Sequence, residues 1–137
     1  MGTAVYHSAI RIINATGKSI YTGNVVLTWG KFFDGIDKRT EIPPHDLEGK
    51  EIQDKDFWVY VCRRPDIADG EEGSIDLVDG DGKRIATLTW DAPWQDTRPN
   101  SFDVINKASG YSVVADGWLR EGWEFGTARV QVTSVEE

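Results

Sequence analysis

Ser74-Ile75-Asp76-Leu77-Val78-Asp79-Gly80-Asp81-Gly82-Lys83-Arg84-Ile85-Ala86-Thr87-Leu88-Thr89-Trp90 is the stretch that decides the fold. Ile75 and Leu77 alternate with polar neighbours, and Ile85, Thr87 and Thr89 resume the alternation beyond the Asp-Gly-Asp-Gly turn. Two alternating arms around such a turn predict a β-hairpin. The same period of two recurs along the chain, and no run of about a dozen residues holds helical spacing.

Working outward, further strands are expected at Ala4–Ile13, Val25–Phe32, Phe57–Cys62, Ser101–Ile105, Tyr111–Ala115 and Thr127–Val135. Shorter pieces lie near Ser19–Tyr21 and Arg39–Ile42, and turn residues such as Asp34-Gly35, Pro43-Pro44, Asp69-Gly70 and Ser109-Gly110 separate them. Asp116 to Gly126 lacks a clear period and reads as a long loop with one helical turn. Roughly eight to ten strands at this spacing mean a sandwich or barrel. The expectation adopted is an all-β, two-sheet antiparallel β-sandwich forming a single domain over residues 1–137.

Composition narrows the function. The chain has 23 Asp and Glu against 15 Lys and Arg, a net charge of −8. Nucleic acid needs a basic footprint, and simple adsorption to anionic lipid needs one too, so both partners are disfavoured. No apolar run approaches the ~18 residues of a membrane-spanning helix. Met1-Gly2-Thr3-Ala4-Val5-Tyr6-His7 shows no basic, then apolar, secretory leader. The single Cys62 excludes an internal disulfide and a cysteine zinc site, and is expected to be a buried small hydrophobe.

Catalytic signals are weak. His7 and His45 sit in no metalloprotease or nucleophile-elbow pattern and read as surface histidines. Asp79 and Asp81 resemble the start of a calcium loop, but the pattern breaks and a turn is the plainer reading. Asn14-Ala15-Thr16 is a formal glycosylation sequon that reads as a turn. Asp66, Asp69, Glu71 and Glu72 form an acidic stretch of the kind that holds paired hydrolytic carboxylates, yet acids in a Gly-rich loop are ordinarily solvated. The chain is expected to be no enzyme and to need neither metal nor cofactor.

The six tryptophans carry more information. A sandwich of this size buries two or three, which leaves others at the surface, where aromatic clusters mark binding. Trp29 ends an apolar strand, Trp90 and Trp94 bracket Asp91-Ala92-Pro93, and Trp118 and Trp123 lie in the irregular segment. Sugars, cationic headgroups and membrane interfaces all suit exposed indoles.

Four pieces then resemble one family. They are Trp29-Gly30-Lys31, Cys62-Arg63-Arg64-Pro65-Asp66, Gly73-Ser74-Ile75-Asp76-Leu77-Val78-Asp79 and Trp90-Asp91-Ala92-Pro93-Trp94. The aegerolysins read W-G-K, C-G-R-x-D, G-[ST]-F-D-L-x-D and W-D-C-P-W, in the same order and at the same spacing. The likeness runs from about Ala4 to Val135. It implies a β-sandwich that binds membranes containing ceramide phosphoethanolamine, or sphingomyelin with cholesterol. It further implies the targeting half of a two-component cytolysin, haemolytic or insecticidal, whose larger partner carries a membrane-attack-complex/perforin domain. The chain is then a soluble protein, released without a visible signal peptide and acting on a target membrane, with a homodimer as a further assembly.

By that resemblance Trp29 and Trp94 fall on membrane-facing tryptophans, and Tyr6 or His7 stands near a further one. Asp69 falls where some members carry a headgroup-recognising Glu, Arg64 matches the family arginine, and Arg98 is the candidate for a basic side chain within Gln95–Asn100. The chemistry is coherent. Choline prefers an aromatic cage, a primary ammonium needs acceptors such as Asp69, and phosphate wants Arg64 or Arg98. The rival is a carbohydrate-binding module, since exposed Trp on a sandwich also stacks on sugars.

Overall fold

Alternation along the strands decides which side chains meet between the sheets. The computed structural model describes residues 7–64, 70–93, 99–121 and 124–135. Its strands are β1 (His7–Ala15), β2 (Ile20–Trp29), β3 (Lys31–Phe33), β4 (Glu41–Ile42), β5 (Glu51–Ile52) and β6 (Asp56–Cys62). They continue with β7 (Glu71–Val78), β8 (Arg84–Ala92), β9 (Ser101–Ile105), β10 (Tyr111–Trp118) and β11 (Gly126–Ser134). A six-stranded sheet runs β10-β11-β1-β6-β3-β4, and a five-stranded sheet runs β5-β2-β7-β8-β9.

The expected all-β, two-sheet architecture is present. Ile10, Ile12, Phe32, Val59, Val61, Val130 and Val132 point inward from the larger sheet. Ile20, Ile75, Leu77, Leu88, Trp90 and Phe102 meet them from the smaller one. The hairpin forms, with Gly73 paired to Trp90, Ile75 to Leu88 and Leu77 to Ala86. Its second arm, however, turns Ala86, Leu88 and Trp90 inward and not the Thr87 and Thr89 of the expected alternation, because the register shifts between Leu77 and Val78 and leaves Ile85 as the extra residue. Asp79 closes its turn by accepting from the backbone N–H of Asp81 and of Lys83, both at 2.9 Å. That carboxylate serves a turn. Asn14 does the same, accepting from the Thr16 N–H at 3.0 Å while donating to the Ile52 carbonyl at 2.8 Å.

Four further details differ from the expectation. Eleven strands occur among the described residues: β4 lies within the short piece expected at Arg39–Ile42, and the additions are the two-residue β5 and the separate β3. The strand expected over Val25–Phe32 breaks at Gly30 into β2 and β3. Its first part joins the piece at Ser19–Tyr21 in one strand, β2, because a bulge between Gly23 and Val26 absorbs the irregular turn-like residues. One pairing, β1 with β11, is parallel, whereas the others among the described residues are antiparallel. Parallel neighbours require a long crossover, here the chain between the first and last strands, which local periodicity cannot reveal. Finally, β10 runs on to Trp118 through a bulge at Gly117, φ +97°, and the one helical turn lies at Pro44–Leu47 instead. Prolines fix φ for the first turn of a helix, so Pro43-Pro44 marked that turn.

Candidate functional site

The chain changes sheets at one residue. β2 in the five-stranded sheet ends at Trp29, and β3 in the six-stranded sheet begins at Lys31. Gly30 turns this corner with φ +98°, and a Cβ there would lie 2.9 Å from the Cys62 carbonyl oxygen. Only glycine combines that backbone with that close approach. Trp29 is thereby held at the end of the sandwich with 46% of its surface exposed.

Beside it opens a cleft of about 260 Å³ lined by Leu27, Thr28, Trp29, Gly30, Glu41, Pro44 and Arg64. The structure therefore brings together Trp29 and Arg64. Arg64 is already engaged: its Nη2 lies 2.6 Å from Glu41 Oε2 and its Nη1 3.2 Å from Oε1. That hydrogen bond holds the Glu41 carboxyl below the usual carboxylate range and raises Arg64 further. The fork leaves Arg64 in a fixed plane, with its remaining N–H donors for a second acceptor. Chemically, the cleft offers an aromatic face, a carboxylate and a guanidinium within one small opening.

Tyr6, Asp69, Trp94 and Arg98 lie outside the described residues, as does Trp123. The other described tryptophans divide. Trp90 is core, 2% exposed and edge-on to Phe32 at 6.2 Å. Trp118 packs on Phe102 at 5.7 Å, with Arg120 over its ring at 4.8 Å.

Two residues escaped the sequence reading. Trp58 is exposed on the outer face of the six-stranded sheet, stacked on Tyr60 at 5.7 Å and beneath Arg11. Its alternation with inward Phe57 and Val59 was the available signal. Glu71 is the second. The acidic stretch was expected to be solvated, yet Glu71 is buried and accepts a hydrogen bond from Ser8 Oγ. Burial pushes its carboxyl up to about 8, outweighing the lowering by Ser8 and by the charges of Lys38 and Arg63. Glu72 points to the opposite face of the sheet and lines a separate shallow cleft with Asp91, so these two acids do not form a hydrolytic pair. Cys62 is buried as expected, and burial raises its thiol.

The comparisons agree with this architecture. The Aegerolysin family model matches residues 7–135. Asp-hemolysin of Aspergillus fumigatus is 33% identical over 90% of this chain and 88% of its own. Ostreolysin A6 of Pleurotus ostreatus is 30% identical, covering 88% of this chain and 89% of its own. Among solved structures, the RahU protein, in complex with a Tris molecule, superposes with a TM-score of 0.89 at 23% identity, covering 96% of this chain and 97% of that one. IP-1A from Alcaligenes faecalis gives 0.84 at 26% identity, covering 96% and 92%. With the family model matched from the first described strand to the last, the chain belongs to the aegerolysin family.

Proposed function

We propose that this chain is a non-enzymatic protein that recognises sphingolipid headgroups in membranes, either ceramide phosphoethanolamine or sphingomyelin presented with cholesterol. It serves as the targeting component for a larger pore-forming partner with a membrane-attack-complex/perforin domain, and its action is haemolytic or insecticidal according to the membrane that carries the lipid. The observation that carries the reading is Trp29, half exposed on a glycine-fixed corner, opening onto a cleft that also holds Glu41 and Arg64. A zwitterionic headgroup presents an ammonium and a phosphate a few bonds apart. The Trp29 face and Glu41 suit the first, and the free donors of Arg64 suit the second. By the family resemblance, Asp69, Arg98, Trp94 and Tyr6 are proposed as further lipid-contacting residues.

Charge supports the choice. A chain at −8 gains nothing from anionic lipid. No helix among the described residues is long and apolar enough to cross a membrane, which fits a landing platform whose pore comes from elsewhere. Relationship to a haemolysin points the same way.

The test is co-sedimentation with vesicles of ceramide phosphoethanolamine, of sphingomyelin with cholesterol, and of phosphatidylcholine alone, run beside a panel of immobilised glycans. Selective retention by one of the first two supports the proposal. Binding to glycans and to no vesicle would instead make this a sugar-binding module.

A further inference from the structure

Glu71 occupies a place that none of the site chemistry above uses. It opens β7 on the inward face, two residues before Gly73 and four before Ile75. Its Cγ lies 3.4 Å from where a Cβ on Gly30 would be, so it fills the space that the corner glycine leaves empty. Ser8 of β1 donates to its Oε1, tying the first strand to the seventh across the two sheets. One buried side chain thus lies against the Gly30 corner and is bonded to β1, with Cys62 at the end of β6 within its electrostatic reach.

We propose that Glu71 in its neutral, protonated form is the positioning residue for the Trp29 corner, and that losing its proton releases the corner and weakens lipid binding. This rests on the lipid-binding reading above. A buried site accommodates a neutral carboxyl hydrogen-bonded to Ser8, whereas an ionised one draws in water or a cation. Either would enter between Gly30, Cys62 and Ser8, where the corner is fixed.

The neighbouring groups set the direction. Ser8 from β1 and the positive Lys38 and Arg63 favour the charged form, and burial opposes them more strongly. The Cys62 thiol beside it is also held neutral by burial, with Lys31 and Arg64 beyond. Burial lowers Lys38 itself. Glu72 and Asp91 lie across the sheet on its outer face. The proton on Glu71 is therefore lost slightly above neutrality, and the corner should loosen in the same range.

The experiment uses the full chain with sphingomyelin/cholesterol and ceramide phosphoethanolamine vesicles from about pH 6 to about pH 10. Wild-type binding should fall about tenfold on the alkaline side, while Glu71→Gln, which keeps shape without a proton to lose, should change less than about twofold. A Glu71→Gln profile that follows wild type overturns the proposal. In parallel, carboxyl and amide NMR of lipid-free wild-type protein follows Glu71 with Gly30 and Lys31. A common midpoint near 8 supports the coupling, even if Glu71→Gln does not fold and even if no vesicle binds. Titration of Glu71 in the ordinary carboxylate range, or shifts confined to Glu71, overturns it. Absence of vesicle binding at every pH, with the NMR coupling present, removes the lipid reading alone.

Discussion

Arg64 and Glu41 face each other as a two-pronged ion pair, Nη2 to Oε2 at 2.6 Å and Nη1 to Oε1 at 3.2 Å, on the rim of the cleft that Trp29 walls. Each is a little over two-fifths exposed. An exposed pair contributes about 0–1 kcal/mol to folding, so its value lies in holding the guanidinium plane for a ligand. Arg64→Ala should shift the melting temperature little. It should weaken vesicle binding by about 1.5–3 kcal/mol, the range for a hydrogen bond to a charged group. Loss of folding without specific loss of binding would mark the pair as structural.

Gly30→Ala tests the corner. The substitution demands a left-handed backbone from alanine and drives its Cβ to 2.9 Å from the Cys62 carbonyl. It should destabilise the protein by more than about 1 kcal/mol in denaturant unfolding, as alanine does at positive φ. Gly49, φ +72° with nothing near its Cβ position, isolates the backbone contribution. Equal losses for Gly30→Ala and Gly49→Ala would show that the Cys62 contact is immaterial.

Glu71 makes stability depend on pH in an unusual direction. Its folded pKa is raised from 4.5 to about 8, so between those values the folded state holds a proton that the unfolded state has released. Stability then falls as pH rises through that window and levels off above it, a change of several kcal/mol at ~1.4 per pH unit. Asp34, Asp37 and Glu41 are lowered instead, so their contribution is lost only in acid below the usual carboxylate range. Melting temperatures across the window should decline for wild type and stay nearly level for Glu71→Gln. A wild-type curve rising from pH 5 to 8 contradicts the assignment.

The strands were readable wherever burial alternated. Ile75 and Leu77 announce one arm of the central hairpin. The other arm was read on Ile85, Thr87 and Thr89, one position out of step with the inward Ala86, Leu88 and Trp90, because the irregularity at Leu77 and Val78 shifts the phase. Extending the same period backwards from Ile75 through Gly73 places Glu71 inward, so its burial was within reach. The Glu-Glu-Gly composition concealed it. The parallel β1–β11 pair could not be read, because it joins residues from opposite ends of the chain. Trp29 and Arg64 were marked by motif, but their common cleft depends on Glu41, whose short strand was expected near Arg39–Ile42 while its pairing with Arg64, far along the chain, left no local signal.

Lipid charge provides another check. Because the chain carries −8, adding phosphatidylserine to sphingolipid vesicles should leave binding unchanged or reduce it slightly at physiological salt. Binding that grows with phosphatidylserine and disappears in high salt indicates plain electrostatic adsorption.

The most direct measurement compares Trp29→Ala with Trp90→Ala in vesicle binding and in thermal unfolding. Trp29 is 46% exposed and Trp90 2%, so the two rings should report on different properties. Trp29→Ala should weaken sphingolipid-vesicle binding by about 1–3 kcal/mol, the scale for burying a large apolar side chain, with folding nearly unchanged. Trp90→Ala should cost about 3–5 kcal/mol of folding stability through the cavity it leaves. The account is contradicted if Trp29→Ala binds sphingolipid vesicles as wild type does, or if it unfolds the protein while Trp90→Ala only weakens binding.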